Sequence, residues 1–315
     1  MKNFWERMNM RWSREELSGW GSFQKTVYLL WPLLVYFVVH DVAEILLWAG
    51  AGGIFSGKEA LALFFTENSG TFRGVINGLA IVCGVAAIRQ AVKREIAGGE
   101  RGSSDIPDNI RRQEVKKTDT PICKGVVDGD GATARLTRYC VVAAIAFLSA
   151  MGFNLLMSLL GMTGISKSYE ETSQTQYSVN FIPGLFLYGV VSPLAEEAVF
   201  RGMIYNRMKR CFNYPLALCV SALLFGCYHG NPVQAVYGTI LGIMIAWCYE
   251  ICGSFAVPVL FHGVANVSMY VMTYYGGLEN MSRPVGIGVS AVCLAGAAGF
   301  LLYLRKIPGH NGRQD

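Results

Sequence analysis

About eight long apolar runs constrain the fold of this 315-residue chain more than any other feature. They lie at about 26–49, 75–92, 137–162, 181–205, 214–230, 233–251, 255–275 and 285–304. A helix needs ~20 residues to cross the hydrocarbon core of a bilayer, and most of the runs approach that length. Because backbone groups in lipid must pair within their own segment, each run is expected to be helical. The sequence therefore predicts an all-α, polytopic membrane bundle of about eight transmembrane helices.

The composition favours a membrane protein over a nucleic-acid-binding one. Only 16% of the residues are charged, whereas soluble domains have ~25%. The net charge of +5 could suggest nucleic acid, but the basic residues cluster in the N-terminal stretch, one polar linker and the chain ends, and no nucleic-acid-binding motif accompanies them. Nine cysteines without a C-x-x-C pair argue against a disulfide framework or a cysteine-based zinc site.

The distribution of Lys and Arg predicts the orientation in the membrane. The linker 93–136 and the ends of the fourth and eighth runs are basic, whereas 163–180 and 276–282 are not. Positive charge is enriched in cytoplasmic loops. We therefore predict a multi-pass protein of the cell membrane with both termini and the linker in the cytoplasm.

The predicted organisation follows from these runs and the polar segments between them. Aromatic and apolar residues recur at helical spacing in the basic N-terminal segment, which favours an amphipathic helix at the membrane interface. The parts are this segment (1–25), two transmembrane helices (26–92), a flexible cytoplasmic linker (93–136), a six-helix core (137–304) that contains a candidate catalytic region (180–275), and a cytoplasmic tail (305–315).

Two adjacent carboxylates, Glu196 and Glu197, lie inside the fourth apolar run. Ionisable groups within a span are costly and usually mark a function. Arg201 is four residues beyond Glu197, on the same helix face, where a charge-assisted hydrogen bond can form. Glu196, ~100° around the helix, is then free to act as a general base, and Pro193 loosens the helix to admit water. The competing interpretation is a helix-packing ion network.

Two histidines and an asparagine complete a candidate site. His229 ends the fifth run, and taken singly such a histidine is more often structural. His262 and Asn266 are four residues apart and share a helix face, so both can donate toward one point, as an oxyanion hole requires. A packing contact between helices is the alternative. With Glu196, these groups could activate water and stabilise a tetrahedral intermediate.

The same residues leave a second mechanism open. Glu196, His229 and His262 resemble a zinc site with one position left for water, and spacing does not separate zinc-dependent from metal-free catalysis. The predicted topology also sets Glu196 toward the cytoplasmic half and His229 toward the outer end of a short run. Water activation therefore requires the fold to bring these two side chains within reach of one water molecule.

A fourth ionisable cluster lies in the first apolar run. His40, Asp41 and Glu44 are within about one helical turn of each other. They could form a second metal site or a proton site. We expect instead that they pair with Arg201 or Arg89.

The order and separation of the motifs resemble the CPBP family of CAAX-protease and bacteriocin-processing membrane endopeptidases. Residues 193–202 resemble its E-E-x-x-x-R motif, 221–229 its F-x-x-x-H motif, and His262 with Asn266 its H-x-x-x-N motif. The resemblance covers about 180–275. Further positions are similar to bacterial members: Gly230, Asn231, Gln234, Tyr237 and Gly242.

The resemblance implies a role for each matched residue. Glu196 with His229 would activate the attacking water, and His262 with Asn266 would hold the oxyanion. Glu197 and Arg201 would then support the site.

The resemblance also implies an activity and a substrate class. It predicts hydrolysis of a membrane-associated peptide or a CAAX-like lipidated protein, in a cavity that opens toward the cytoplasm. Family members have been described both as metalloproteases and as glutamate peptidases, so zinc stays open. The alternative is a non-enzymatic ion carrier or a partner-binding regulator, such as a bacteriocin self-immunity protein. The first-run cluster and the basic linker, which could dock acidic lipid, favour that alternative.

Overall fold

The computed structural model describes residues 4–55, 59–101, 131–276 and 281–307, and these ranges are helical with no strand. Most of the predicted linker 93–136 and of the tail 305–315 lies outside them. The helices are α1 (Phe4–Asn9), α2 (Arg14–Ser18), α3 (Ser22–Phe55), α4 (Glu59–Glu67), α5 (Ser69–Arg101), α6 (Gly131–Leu159), α7 (Lys167–Tyr177), α8 (Phe181–Cys211), α9 (Tyr214–Tyr228), α10 (Pro232–Cys252), α11 (Ala256–Tyr274) and α12 (Arg283–Leu304).

Seven of the described helices are long and apolar enough to cross a membrane: α3, α5, α6, α8, α10, α11 and α12. The prediction of a polytopic helical membrane bundle is confirmed. The predicted run 214–230 forms α9, whose 15 residues extend only ~22 Å at 1.5 Å per residue. Large apolar side chains on the outer surface, such as Ile45 and Val292, are exposed. Contact with lipid tails explains that exposure in a protein of this class.

Helix α8 lies at the centre of the bundle. It packs against α3 and α5 on one side and against α9 and α11 on the other. Every residue from 195 to 208 is buried as a result. A helix enclosed on all sides keeps its ionisable groups away from lipid, so the acidic pair of α8 is turned into the protein interior.

The N-terminal segment, predicted as an amphipathic helix within 1–25, is divided into α1, α2 and the start of α3. The break falls at Ser13, which caps α2: its hydroxyl accepts from the backbone of Glu16, and the Glu16 carboxylate accepts from the backbone of Ser13. Such a capping box starts a new helix rather than continuing the previous one. Met8 and Leu17 are buried against the rest of the protein.

A buried arginine fastens this segment to α8. Arg207 is fully buried and donates to Glu95 (3.0 Å), to the backbone oxygen of Tyr28 (2.6 Å) and to that of Met8 (2.9 Å). Glu95 also accepts from Arg210 at 2.6 Å. Because a buried guanidinium must be both paired and hydrogen-bonded, these contacts fix α1, α3, α5 and α8 together.

Candidate active site

The candidate site is built on an irregular stretch of α8. Leu187–Val191 and Ala198–Tyr205 are π-helical, and they flank the short α-helical turn Ser192–Glu197. A π-helix pairs each carbonyl with the N–H five residues on, as Leu187 does with Ser192. The partner of the Tyr188 carbonyl in that pattern would be Pro193, which has no N–H. The Tyr188 oxygen therefore needs a donor from another helix.

Asn266 of α11 supplies that donor. Its Nδ2 lies 3.0 Å from the Tyr188 carbonyl oxygen. The expectation that Pro193 loosens the helix is consistent with this geometry, because the released carbonyl accepts from a side chain of another helix. Since an amide nitrogen carries two hydrogens, the bond to Tyr188 fixes Asn266 and leaves one N–H for another acceptor.

Glu196 points one carboxylate oxygen at two histidines. The Ser192 hydroxyl, one turn earlier, donates to Glu196 Oε1. Glu196 Oε2 is buried and accepts no hydrogen bond from the described part of the chain. It lies 3.9 Å from Nε2 of His229 and 3.9 Å from Nε2 of His262. The requirement set by the predicted topology is thus met, because one water molecule can span either separation.

The other ring nitrogen of each histidine fixes its orientation. His229 Nδ1 lies 3.0 Å from the Phe225 carbonyl, which can only accept, so Nδ1 carries the hydrogen. His262 Nδ1 lies 2.8 Å from Glu197 Oε1. The Phe225 ring meets both imidazoles edge-on, at 5.1 and 5.4 Å between ring centres. Nε2 of both rings is consequently directed at Glu196.

Glu197 and Arg201 form the ion pair that their spacing predicts. Arg201 Nη1 lies 2.9 Å from Glu197 Oε1, and both side chains are fully buried. Arg201 Nη2 donates to the Gly242 carbonyl at 3.0 Å, and the guanidinium carbon lies 4.5 Å from the centre of the Phe225 ring. Glu197 thus joins the cation to His262, which makes it a support for that imidazole.

The separations allow a test of the zinc alternative. Ligand bonds of ~2.0–2.2 Å in a tetrahedral site would set two ligand atoms ~3.4 Å apart. A water with hydrogen bonds of ~2.8 Å to both atoms spans 3.9 Å at an angle of ~90°. Among the described residues, no group of three or more His, Cys, Asp or Glu side chains lies close enough to hold a metal ion. The observed distances therefore fit a hydrogen-bonded water better than a zinc ligand set.

The first-run cluster does not join the site. His40 Nδ1 lies 2.9 Å from Asp41 Oδ1, and His40 Nε2 lies 3.1 Å from Asn77 Oδ1. The expected pairing with Arg201 is wrong, because Arg201 is occupied by Glu197 and a backbone carbonyl. Within the described ranges, no ion pair connects the cluster to Arg89 either. The Asn77 partner on α5 was not predictable from spacing along α3.

A polar cleft adjoins the site on the α7 side of the bundle. Its lining residues come from α6, α7, α10, α11 and the α6–α7 connection: Asn154, Met157, Thr163, Tyr169, Thr172, Ser173, Gln176, Tyr177, Val233, Gln234, Tyr237, Asn266 and Met269. Asn266 and Gln234 connect it to the histidines. Asn231 donates to Gln234 Oε1 at 2.5 Å and to the His229 carbonyl at 3.2 Å. The expected opening toward the cytoplasm does not describe this cleft, because α7 belongs to the 163–180 segment assigned to the opposite side.

Sequence reasoning missed two supports of this site. Ser192 directly precedes the first motif, and its four-residue spacing to Glu196 places both on one helix face, a signal that could have revealed the contact. Phe225 received no role beyond its place in the second motif, and only the structure shows its ring between Arg201 and the two histidines.

Comparison with known proteins finds a family match in the region of the chain that carries the candidate site. Residues 178–268 match the family model of type II CAAX prenyl endopeptidases described as Rce1-like. The chain is also similar to a protein of Bacillus subtilis (strain 168) named "Putative membrane peptidase YdiL", with 24% identity over 110 residues. That match covers 35% of this chain and 45% of the relative, so the chain spans less than half of the relative's length. No solved structure matches. The family resemblance predicted from the motifs is confirmed for residues 178–268, which carry Glu196, His229 and His262 and match the Rce1-like model of type II CAAX prenyl endopeptidases.

Proposed function

We propose that this protein is an intramembrane endopeptidase that hydrolyses a peptide bond with a water molecule activated by Glu196 and His229. The observation that carries the proposal is the convergence of Glu196 Oε2 with two imidazole Nε2 atoms, each at 3.9 Å, inside a membrane bundle. A buried carboxylate oxygen without a protein partner is unfavourable unless a bound water or substrate satisfies it. Here it faces the two imidazoles that could share that water.

The attack step uses the proton acceptors of the site. A water held between Glu196 Oε2 and His229 Nε2 attacks the carbonyl carbon of the scissile bond, and Glu196 takes the water proton. The tetrahedral intermediate then carries negative charge on the former carbonyl oxygen. Collapse of the intermediate breaks the C–N bond, and the proton held by Glu196 passes to the leaving amine. The products are a new carboxyl terminus and a new amine.

The neighbouring groups supply charge stabilisation. The buried cluster holds two carboxylates, Glu196 and Glu197, and one fixed cation, Arg201. One further proton makes the cluster neutral, and buried charges are tolerated only when they are compensated. We assign that proton to His262, whose Nδ1 lies 2.8 Å from Glu197. His262 Nε2–H and the second amide hydrogen of Asn266 can then donate to the oxyanion.

The substrate class follows from the family and from the location of the site. A domain of this family within a membrane bundle favours a membrane-associated peptide or a lipidated protein as the substrate. The positive-inside pattern favours the cell membrane with both termini in the cytoplasm.

The first experiment compares membrane-associated peptides, by mass spectrometry, in cells that make the wild type or Glu196→Gln. Cleavage products present with the wild type should be absent with Glu196→Gln, His229→Ala and His262→Ala at equal protein levels. Glu171→Gln is the control, because Glu171 is exposed on α7 away from the site. Full processing by all three site variants would contradict the proposal. A cellular effect that survives Glu196→Gln would instead favour a binding regulator.

A second experiment separates the two chemical schemes. The water-bridged geometry predicts that activity survives removal of metal ions with a chelator and that purified active protein holds no stoichiometric zinc. Loss of activity on chelation, restored by added zinc, would contradict this part of the proposal.

A further inference from the structure

Ten of the thirteen side chains that line the polar cleft beside the site can form hydrogen bonds, three are apolar, and none is charged. Its described lining includes four carboxamides, those of Asn154, Gln176, Gln234 and Asn266, together with hydroxyl and phenol groups. Its volume is about 90 Å³. Since one water needs ~10–15 Å³ on the same measure, the cleft has room for several waters or for a short piece of an extended chain.

Helix α7 forms one wall of the cleft in an unusual manner. A helix that only packs on a protein turns its apolar face inward. The cleft-facing residues of α7 are instead Tyr169, Thr172, Ser173, Gln176 and Tyr177, and none of its residues is fully buried.

The charges of α7 lie elsewhere on the helix. Lys167, Glu170 and Glu171 are all exposed, and none of them lines the cleft. The separation of charged from uncharged polar side chains indicates that the inner face is adapted to a neutral polar occupant.

Two residues of the cleft lining, Asn266 and Gln234, lie close in the structure to the candidate catalytic histidines. Asn266 follows His262 by four residues, which is ~6 Å along α11. Gln234 is hydrogen-bonded to Asn231, which in turn donates to the His229 carbonyl. A chain bound against Asn266 would therefore lie about one turn of α11 from His262.

We propose that this cleft binds an uncharged polar segment of the peptide substrate, next to the scissile bond, and so selects for it; this inference rests on the proposed function. Carboxamides both donate and accept, so they match the N–H and C=O groups of an extended backbone. A lipid chain would leave these groups without partners, and a charged side chain would meet no opposite charge among the described lining residues. Both occupants are disfavoured.

The test uses three synthetic fluorescent peptides with the same apolar half. The other half is Ser-Asn-Gln, Ser-Lys-Gln or Ser-Glu-Gln. Each peptide is made in two versions, one with this polar half at the N-terminus and one with it at the C-terminus. Binding to full-length Glu196→Gln in lipid nanodiscs is measured by fluorescence anisotropy, and cleavage is measured with the otherwise unaltered protein. The neutral peptide should bind about tenfold more tightly than either charged one.

Charge variants of α7 locate the binding to the cleft. Gln176→Glu should weaken the neutral peptide about tenfold and make the Lys peptide the best ligand, and Ser173→Lys should favour the Glu peptide in the same way. The matched control is Gln174→Glu, since Gln174 is exposed and does not line the cleft. The control should behave like the parent protein.

The outcomes separate this inference from the proposed function. Equal binding of the three peptides, no binding of any, or equal effects of Gln176→Glu and Gln174→Glu would overturn the cleft assignment. If the Gln176 and Ser173 variants cleave all three peptides as the parent protein does, the proposed endopeptidase activity stands and the proposed subsite is rejected. The predicted binding order without any cleavage would keep the subsite and count against the endopeptidase.

Discussion

Replacing Arg201 by Met should destabilise the protein more than most single substitutions. The change keeps much of the side-chain volume but removes the guanidinium that is paired with Glu197, and it also removes the donor to the Gly242 carbonyl. Breaking a fully buried ion pair by deleting one partner costs about 3–5 kcal/mol, because the remaining charge is left uncompensated. With ~2–4 °C per kcal/mol, the unfolding midpoint should fall by roughly 6–20 °C.

The assay is a double-mutant cycle in which thermal unfolding of each purified protein is monitored by tryptophan fluorescence in the same detergent. Glu197→Gln alone should also destabilise, since it leaves Arg201 buried beside a neutral amide. The double variant Glu197→Gln/Arg201→Met should lose less stability than the sum of the single variants, by at least about 1 kcal/mol. Strict additivity, or an Arg201→Met protein with the wild-type midpoint, would refute the ion-pair reasoning.

Predictions for three other residues follow from the structure. Ser192→Ala removes the hydroxyl that orients Glu196 and should lower the cleavage rate about tenfold, whereas Ser192→Thr should retain most of it; equal rates for both would contradict the orienting role. Gly242→Ala places a Cβ 3.1 Å from Arg201 Nη2 and 3.2 Å from Ala222, so the free energy of unfolding should fall by about 1–3 kcal/mol and the unfolding midpoint with it. An unchanged midpoint would show that the neighbouring side chains move aside without cost. Arg207→Met should make the N-terminal segment sensitive to limited proteolysis, and unchanged protection would show that Arg207 does not hold it.

The membrane bundle and its ionisable motifs could be predicted because each depends on local sequence. Apolar runs report helix length directly, and the four-residue spacing of Glu197 and Arg201 places them on one helix face, where the structure has them paired. The order of the motifs also predicted the family that residues 178–268 match.

The remaining features depend on how helices meet, which spacing along one helix does not encode. His40 bonds to Asn77 on α5, although pairing with Arg201 or Arg89 was expected. The depth of Glu196 relative to His229 depends on the π-helical stretches of α8, which change the rise and rotation of that helix. Pro193 indicated a helix irregularity in the sequence, but the group that donates to the Tyr188 carbonyl is Asn266 of α11.

The central claim is that Glu196 activates water for peptide hydrolysis, and isotope incorporation tests it most directly. Membranes containing the wild type or Glu196→Gln would be incubated in water enriched in heavy oxygen, and new carboxyl termini would be analysed by mass spectrometry. The mechanism predicts one heavy oxygen at the new terminus of wild-type products, and no such products with Glu196→Gln. Wild-type products without the label, or labelled products at the wild-type rate from Glu196→Gln, would contradict it.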